Sequence, residues 1–321
     1  MTIQGRPTLE DIREAHARIR PYIHRTPLLT SRSIDEMVGA ELFFKCDNLQ
    51  KAGAFKTRGA TNAVFSLSAA EAARGVVTHS SGNHAAALSL AGKWRGIPVH
   101  VVMPSNAPSI KQEAVRSYGG EITFCEPTLE ARESTAAKIL DQTGASFIHP
   151  YDNYQVIAGQ GTAALEILED LPEVYVILTV VGGGGLLSGT LIAAKGLKPG
   201  VRVIAAEPAA VDDAYRSWKQ GRILKNTTTD TIADGLRTNL GEKTFPIIQD
   251  LVDEIVLVDE AEILRALKVV LERMKIVIEP SSAVPLAALL SGRLNLSGQR
   301  VAIHLGGGNV DLSFFQRLDS V

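Results

Sequence analysis

Several short stretches of this sequence carry residue types that could do chemistry, and each has more than one reading when taken alone. Phe55-Lys56-Thr57-Arg58-Gly59-Ala60 follows Gln50-Lys51-Ala52-Gly53-Ala54. A lysine between small residues and an aromatic can be partly desolvated, which lowers its pKa and frees the amine for a Schiff base. The same composition suits a solvated lysine at a helix start. Thr78-His79-Ser80-Ser81-Gly82-Asn83-His84-Ala85 separates a strand-like run from an alanine-rich, helix-like one. Small hydroxyl residues, Gly and Asn at a helix N-terminus leave backbone N–H groups free for a carboxylate or another anion, or form an ordinary N-cap.

Gly182, Gly183, Gly184 and Gly185 form an unbroken tetraglycine between a β-branched run and a helix-like stretch. Bare backbone can wrap a phosphate, and a helix N-terminus adds a favourable partial charge. No Gly-Lys-Ser/Thr follows, which excludes the P-loop of nucleotide hydrolases. A dinucleotide fold stays open, because Glu207 ends the next strand where a ribose-binding acid would sit, although the third glycine of that fingerprint is missing. Glu207-Pro208-Ala209-Ala210-Val211-Asp212-Asp213 places carboxylates and free carbonyls on one loop, suited to Mg²⁺ or Ca²⁺ or to plain solvation. Gly306-Gly307-Gly308-Asn309 again puts bare backbone at the end of a strand, and His304 in that strand reads as a core or pocket-wall side chain.

The elements that must position these residues alternate. Apolar strands are expected at Gly75–Thr78, Val99–Met103, Glu121–Phe124, Tyr175–Val181, Arg202–Ala206 and Val301–Leu305, with longer amphipathic stretches between them. That alternation indicates an α/β architecture with mostly parallel sheets. Thr8 with Glu10 and Asp11 starts a first helix that carries Ile12, Ala15 and Ile19 on one face and ends at Pro21. Ser68 followed by Glu71 matches a capping box. Val174–Ala194 is uncharged and long enough to cross a bilayer, but the tetraglycine in its middle favours strand, turn and helix.

The chain has 321 residues, 45% of them hydrophobic, enough for one large domain or two joined ones. Its 33 basic and 35 acidic residues leave a net charge of −2 and no basic face for nucleic acid. Only Cys46 and Cys125 are present and the N-terminal stretch is polar, so a reduced, cytoplasmic protein is expected, without a membrane partner. The strand–helix units between about Gly75 and Pro150 suit an inserted second domain.

The order of the motifs resembles fold-type II pyridoxal 5′-phosphate (PLP) enzymes, in particular the serine/threonine dehydratase and serine racemase family. The likeness runs from His24-Arg25-Thr26-Pro27-Leu28, through Val156-Ile157-Ala158-Gly159-Gln160-Gly161-Thr162, to Asn309-Val310-Asp311. It implies the tryptophan synthase β-like α/β fold: two open, mostly parallel sheets with flanking helices and the cofactor between domains. Residues 1–67 and 153–321 would form the large PLP-binding domain, and 74–152 the small inserted one.

The same resemblance implies roles. Lys56 would carry PLP as a Schiff base and act as base at the α-carbon, with Ser81 as the acid/base on the opposite face. Phe55, Asn83, Glu279 and Gly306 would line the cofactor, Asn83 binding its phenolic oxygen. Gly182 to Gly185 with Leu186 would hold its phosphate. Ser80, Ser81, Asn83 and His84, with Arg132 and Tyr151 nearby, would bind substrate. Glu207, Asp213 and the Val211 carbonyl resemble a structural Mg²⁺ or Ca²⁺ site. A homodimer is implied.

Three departures qualify that picture. Gly306 stands where the family's Ser-Gly-Gly-Asn sets a serine against the pyridine nitrogen, leaving that ring atom without its usual partner. Tyr151-Asp152-Asn153 resembles the dehydratases' aromatic-Asp-Asp loop, which favours elimination. Ala85 and Ala86 replace the Gly-Gln of animal racemase, so its nucleotide effector site is not assumed, and without a regulatory domain feedback inhibition by isoleucine is not expected. The leading expectation is α,β-elimination from L-serine or L-threonine, giving a 2-oxo acid and ammonia. Its rivals are serine racemisation, dehydration of 3-hydroxyaspartate or a hydroxyectoine breakdown product, a catalytically dead relative that only binds ligand and, from a different class, a dinucleotide-binding oxidoreductase built on Gly182 to Glu207.

Overall fold

The computed structural model describes residues 3, 5–80, 82–107 and 109–320. Its strands are β1 (Leu28–Leu29), β2 (Glu41–Cys46), β3 (Val76–His79), β4 (Val99–Pro104), β5 (Glu121–Cys125), β6 (Ser146–Phe147), β7 (Val176–Val180), β8 (Arg202–Pro208), β9 (Glu254–Val258) and β10 (Arg300–Leu305). They form a six-stranded sheet in the order β1-β2-β10-β7-β8-β9 and a four-stranded sheet in the order β5-β4-β3-β6. All pairings are parallel except that of β1 with β2. The six expected strands are present within two residues of their expected ends. β2 and β9 complete the large sheet, and the two-residue β1 and β6 occupy edges.

Parallel strands covered by helices on both faces need no polar side, and β7 is buried at all five positions. The uncharged Val174–Ala194 segment is β7, the glycine turn and the helix Gly185–Leu197, and among the described residues no helix is long and apolar enough to cross a membrane. The first helix, Leu9–Ile19, starts at a Thr8–Asp11 capping box and buries Ile12, Ala15 and Ile19. The Ser68–Glu71 box caps the helix Ala69–Arg74.

Two features of the packing fix where the Lys56 helix, Lys56–Ser66, can lie. Its backbone crosses that of the helix Tyr154–Asp170 in close approach: a Cβ on Gly159 would stand 2.6 Å from the Gly59 Cα, and one on Gly59 2.8 Å from the Val156 carbonyl. Any side chain at either position would force the helices apart.

The second feature is a buried charge network. Arg58 is fully buried and grips Asp47 through Nε and Nη2 (both 2.8 Å) and Glu166 through Nη1 and Nη2 (2.8 and 2.9 Å). Lys45, equally buried, adds 2.7 Å contacts to Glu166 and to the Thr26 carbonyl. The Thr26 hydroxyl and the His304 Nε2 complete the shell around Asp47 at 2.7 and 3.0 Å. Two cations face two anions, so each charge removed from water has a partner.

The large sheet also decides where a ligand can sit. β7 and β10 are parallel neighbours, yet the chain leaves β7 towards β8 while β10 returns between β7 and β2. Such a reversal opens a crevice beyond the carboxyl ends of the strands. The two glycine loops, 182–185 after β7 and 306–308 after β10, hang at that edge.

Candidate functional site

Lys56 is the first residue of its helix, and the turn before it is stitched to the loop after β10. Phe55 N–H donates to the Gly306 carbonyl at 2.8 Å, Gly308 N–H to the Gly53 carbonyl at 2.9 Å, and Ala54 pairs with Gly307 in an isolated bridge. Ala52, at φ +54°, takes the left-handed conformation that a non-glycine residue rarely adopts, and Asn309 Nδ2 holds its carbonyl at 2.8 Å. The Lys56 amine donates to the Pro150 carbonyl at 2.9 Å. Burial lowers its pKa to about 8, against the opposing pull of Glu279.

Pro150 leads directly to the tetraglycine, because the ring of the next residue, Tyr151, lies on it. A Cβ on Gly183 would stand 2.4 Å from that ring, one on Gly185 2.9 Å from the Tyr151 Cβ, and one on Gly184 2.8 Å from Thr244. Gly184 also has φ +89°, so no L side chain fits the turn. The turn ends as the N-cap of Gly185–Leu197, with no side chain capping the first amides, an arrangement that suits an anion. Leu186 follows, buried.

On the other side of Lys56, Asn83 Nδ2 donates to both oxygens of Glu279 (2.9 and 3.2 Å), while its Oδ1 accepts from Asn309 at 3.0 Å. Burial raises Glu279 to about 7, the Asn83 bond opposing. The Gly307 backbone passes so close to this carboxylate that a Cβ would stand 2.8 Å away. Lys56, Asn83, Glu279 and the two glycine loops are therefore gathered by a few linked contacts.

The other expected residues are more varied in placement. His84 is buried, with Nε2 3.3 Å from the Ile148 carbonyl; burial, with Lys56 beside it, holds it well below the usual imidazole range and hence neutral. The Ser80 hydroxyl accepts from Gly82 N–H at 3.3 Å. Arg132 donates to the Thr128 carbonyl at 3.3 Å, at the start of its own helix. Ser81 lies outside the described residues.

Glu207 accepts from the backbone N–H groups of Ala214 and Tyr215 at 2.9 and 2.8 Å. Burial, then the neighbouring Asp213, pushes it well above the carboxylate range. Burial raises Asp213 to about 6 despite bonds from Leu240 N–H and Asn226. Among the described residues no group of three or more His, Cys, Asp or Glu side chains is placed to hold a metal ion.

Two residues outside the expected set support the site. His149 Nδ1 accepts from the N–H groups of Asp152 (2.9 Å) and Tyr151 (3.4 Å), fixing the turn that presents the Pro150 carbonyl to Lys56. Burial, with His79 and Lys56 adding repulsion, lowers its pKa to about 3, so it stays an acceptor. Thr244 Oγ1 holds the Gly183 carbonyl at 2.8 Å. Neither His149 nor Thr244 carries a local sequence signal, since each acts through a partner that only the fold brings near.

Comparison with known proteins is consistent across sequence and structure. Residues 19–307 match the family described as pyridoxal-phosphate dependent enzyme. The chain is 54% identical to a serine racemase of Dictyostelium discoideum, over 97% of each chain. It is 51% identical to a beta-hydroxyaspartate dehydratase of Paracoccus denitrificans, over 95% of this chain and 97% of that one. A solved maize serine racemase superposes with a TM-score of 0.93 at 48% identity, covering 98% of both chains.

A buried amine with a pKa of about 8 makes a direct prediction. In cofactor-free protein, labelling of Lys56 by an aldehyde and cyanoborohydride, read by peptide mass spectrometry, reaches half its maximum near pH 8. A half-maximum above pH 10, as for a solvated lysine, contradicts the burial described here.

Proposed function

Since this chain belongs to the pyridoxal-phosphate-dependent enzymes of fold type II, we propose that it eliminates water from a small hydroxy amino acid such as L-serine or L-threonine, the released enamine taking up water to give a 2-oxo acid and ammonia. The observation that carries the reading is the Lys56 amine, buried, lowered to about 8 and linked through Pro150 and Tyr151 to the tetraglycine turn.

The residues present fit PLP. A turn closed to side chains, with uncapped helix amides, suits its phosphate; a low-pKa amine suits its aldehyde; and the open backbone of Gly306 leaves room beside a ring. PLP, when bound, supplies the electron sink that acidifies the α-proton. Gly182, Gly183, Gly184, Gly185 and Leu186 would hold its phosphate, Asn83 its phenolic oxygen, and Phe55, Glu279 and Gly306 would line its ring. The Lys56 amine takes the α-proton. The Ser80 hydroxyl, whose own N–H is given to the Val102 carbonyl at 3.1 Å, binds the substrate carboxylate with the backbone amides of Asn83 and His84 at the helix start and with Arg132; buried and neutral, the His84 ring is not their cation. Tyr151 closes the phosphate side.

The Tyr151-Asp152-Asn153 turn supports elimination as the main outcome. Asp152 Oδ1 accepts from Lys243 and Thr244 N–H (2.8 and 3.3 Å), locking the Tyr151 ring onto the glycines. Racemisation is the second reading, favoured by the serine racemase relative, and it requires an acid on the face opposite Lys56, the role the resemblance gives Ser81. The dehydratase relative supports 3-hydroxyaspartate, already among the candidate substrates. Family membership displaces the dinucleotide-binding oxidoreductase.

A structural Mg²⁺ or Ca²⁺ between Glu207, Asp213 and the Val211 carbonyl belongs to the same reading. Its support is a pair of buried carboxylates that repel one another when ionised. So do a homodimer, a cytoplasmic location, and a division into 1–67 with 153–321 and an inserted 74–152, the last supported by the two separate sheets.

Offered L-serine, L-threonine and 3-hydroxyaspartate, the purified enzyme releases keto acid and ammonia faster than it forms the opposite enantiomer, and Lys56→Ala abolishes both. Faster inversion establishes the racemase reading, and near wild-type elimination by Lys56→Ala refutes the site. For the cation, a chelator lowers the melting temperature of wild type but not of Glu207→Ala. Melting unchanged in both refutes the cation and leaves two buried carboxylates held by backbone amides and Asn226.

A further inference from the structure

His304 and Gly306 are two residues apart at the end of β10, and alternation in an extended strand turns both towards the same side. A Cβ on Gly306 would stand 3.2 Å from the Phe55 Cδ1 and 3.8 Å from the His304 Cε1. The imidazole edge thus borders the space that the missing side chain leaves. His304 is 3% exposed. Its Nε2 is 3.0 Å from Asp47 Oδ2, an oxygen also held by Arg58 Nε at 2.8 Å.

That arrangement fixes the tautomer. Although burial pushes Asp47 upward, Arg58 and His304 hold it well below the usual carboxylate range, so it stays ionised and can only accept. The Nε2 atom therefore carries the hydrogen. The other ring nitrogen, Nδ1, is buried without a hydrogen-bond partner among the described residues. An orphaned buried polar atom is costly and calls for a ligand or water. The Cε1 carbon bonded to Nδ1 is the His304 atom that borders Gly306, the glycine that stands where the resemblance places a serine against the pyridine nitrogen.

We infer that His304 Nδ1, backed by Asp47 and able only to accept in this tautomer, takes over from that serine as the polar partner of the cofactor's ring edge, where it would accept from a protonated ring nitrogen. The assignment rests on the PLP reading above. It makes His304 and Gly306 a matched pair: glycine vacates the position, and the imidazole two residues earlier reaches the space from below. The Asp47–Arg58 network then connects the ring edge to the helix that begins with Lys56.

Two amide substitutions separate this role from a purely structural one. His304→Gln keeps a donor where Nε2 stands and so keeps the Asp47 bond, but offers nothing at Nδ1. His304→Asn does the reverse. Loss of PLP from the holoenzyme on dialysis, followed by visible absorbance, is expected to be roughly fivefold faster for His304→Gln than for wild type, the effect of one net hydrogen bond. His304→Asn is expected to hold PLP at the wild-type rate while its cofactor-free form melts lower. Adding Gly306→Ser to His304→Gln is expected to restore retention. PLP retention in His304→Gln equal to wild type overturns the inference, as does faster loss that tracks the lowered melting temperature in both variants. A wild-type protein with no chromophore that borohydride fixes at Lys56 overturns the functional reading instead.

Discussion

The structure around the site depends on one buried guanidinium. Arg58 lies two residues after Lys56 and is closed off from water between Asp47, which follows β2, and Glu166, on the helix Tyr154–Asp170. Removing one partner of such a buried pair costs about 3–5 kcal/mol, because the remaining charge is left uncompensated. The helix that starts at Lys56 therefore has little freedom to slide or rotate. Its other restraint, backbone against backbone at Gly59 and Gly159, acts through shape rather than charge. Together they bring the Lys56 amine to the Pro150 carbonyl, and Pro150 to the glycine turn that Tyr151 covers.

The local electrostatics follow from that fixed position. Burial favours the uncharged amine of Lys56 and the protonated form of Glu279, and each charged form supports the other. Near neutral pH both groups are close to their midpoints, at about 8 and about 7. An amine poised in this way can both attack a carbonyl and exchange a proton. His84 and His149 are neutral and add hydrogen bonds rather than charge, His84 donating to the Ile148 carbonyl and His149 accepting from the Tyr151 and Asp152 N–H groups. Whether the product is a keto acid or the opposite enantiomer then turns on the face opposite Lys56, where chemistry beyond the lysine is needed.

Much of this was legible in the sequence. Parallel strands buried on both faces leave continuous apolar runs, so β3, β4, β7, β8 and β10 were expected in place; β5, a half-exposed edge strand, was marked by its β-branched and aromatic residues instead, and the tetraglycine stood out because four bare residues are costly unless something approaches the backbone. β2 was missed because Lys45 interrupts its apolar run; the charge is tolerated only because Glu166 meets it. The network itself was illegible, since its members pair across 108 residues for Arg58 with Glu166 and 257 for His304 with Asp47. His304 was read as a core or pocket-wall residue, which describes its burial but not its unpartnered nitrogen. Tyr151 was read as a substrate residue; nothing in the sequence signals that its ring lies on Gly183 and its Cβ close to Gly185. Ser81 lies outside the described residues, so its part rests on resemblance.

The central claim is that Lys56 is the residue that bears the cofactor. Reduction of the purified, yellow holoenzyme with borohydride, followed by peptide mapping, tests it most directly. The account predicts a bleached protein carrying one pyridoxyl group, on the peptide that contains Phe55-Lys56-Thr57. A pyridoxyl group on any other lysine, or a protein that never takes up the chromophore, would contradict it.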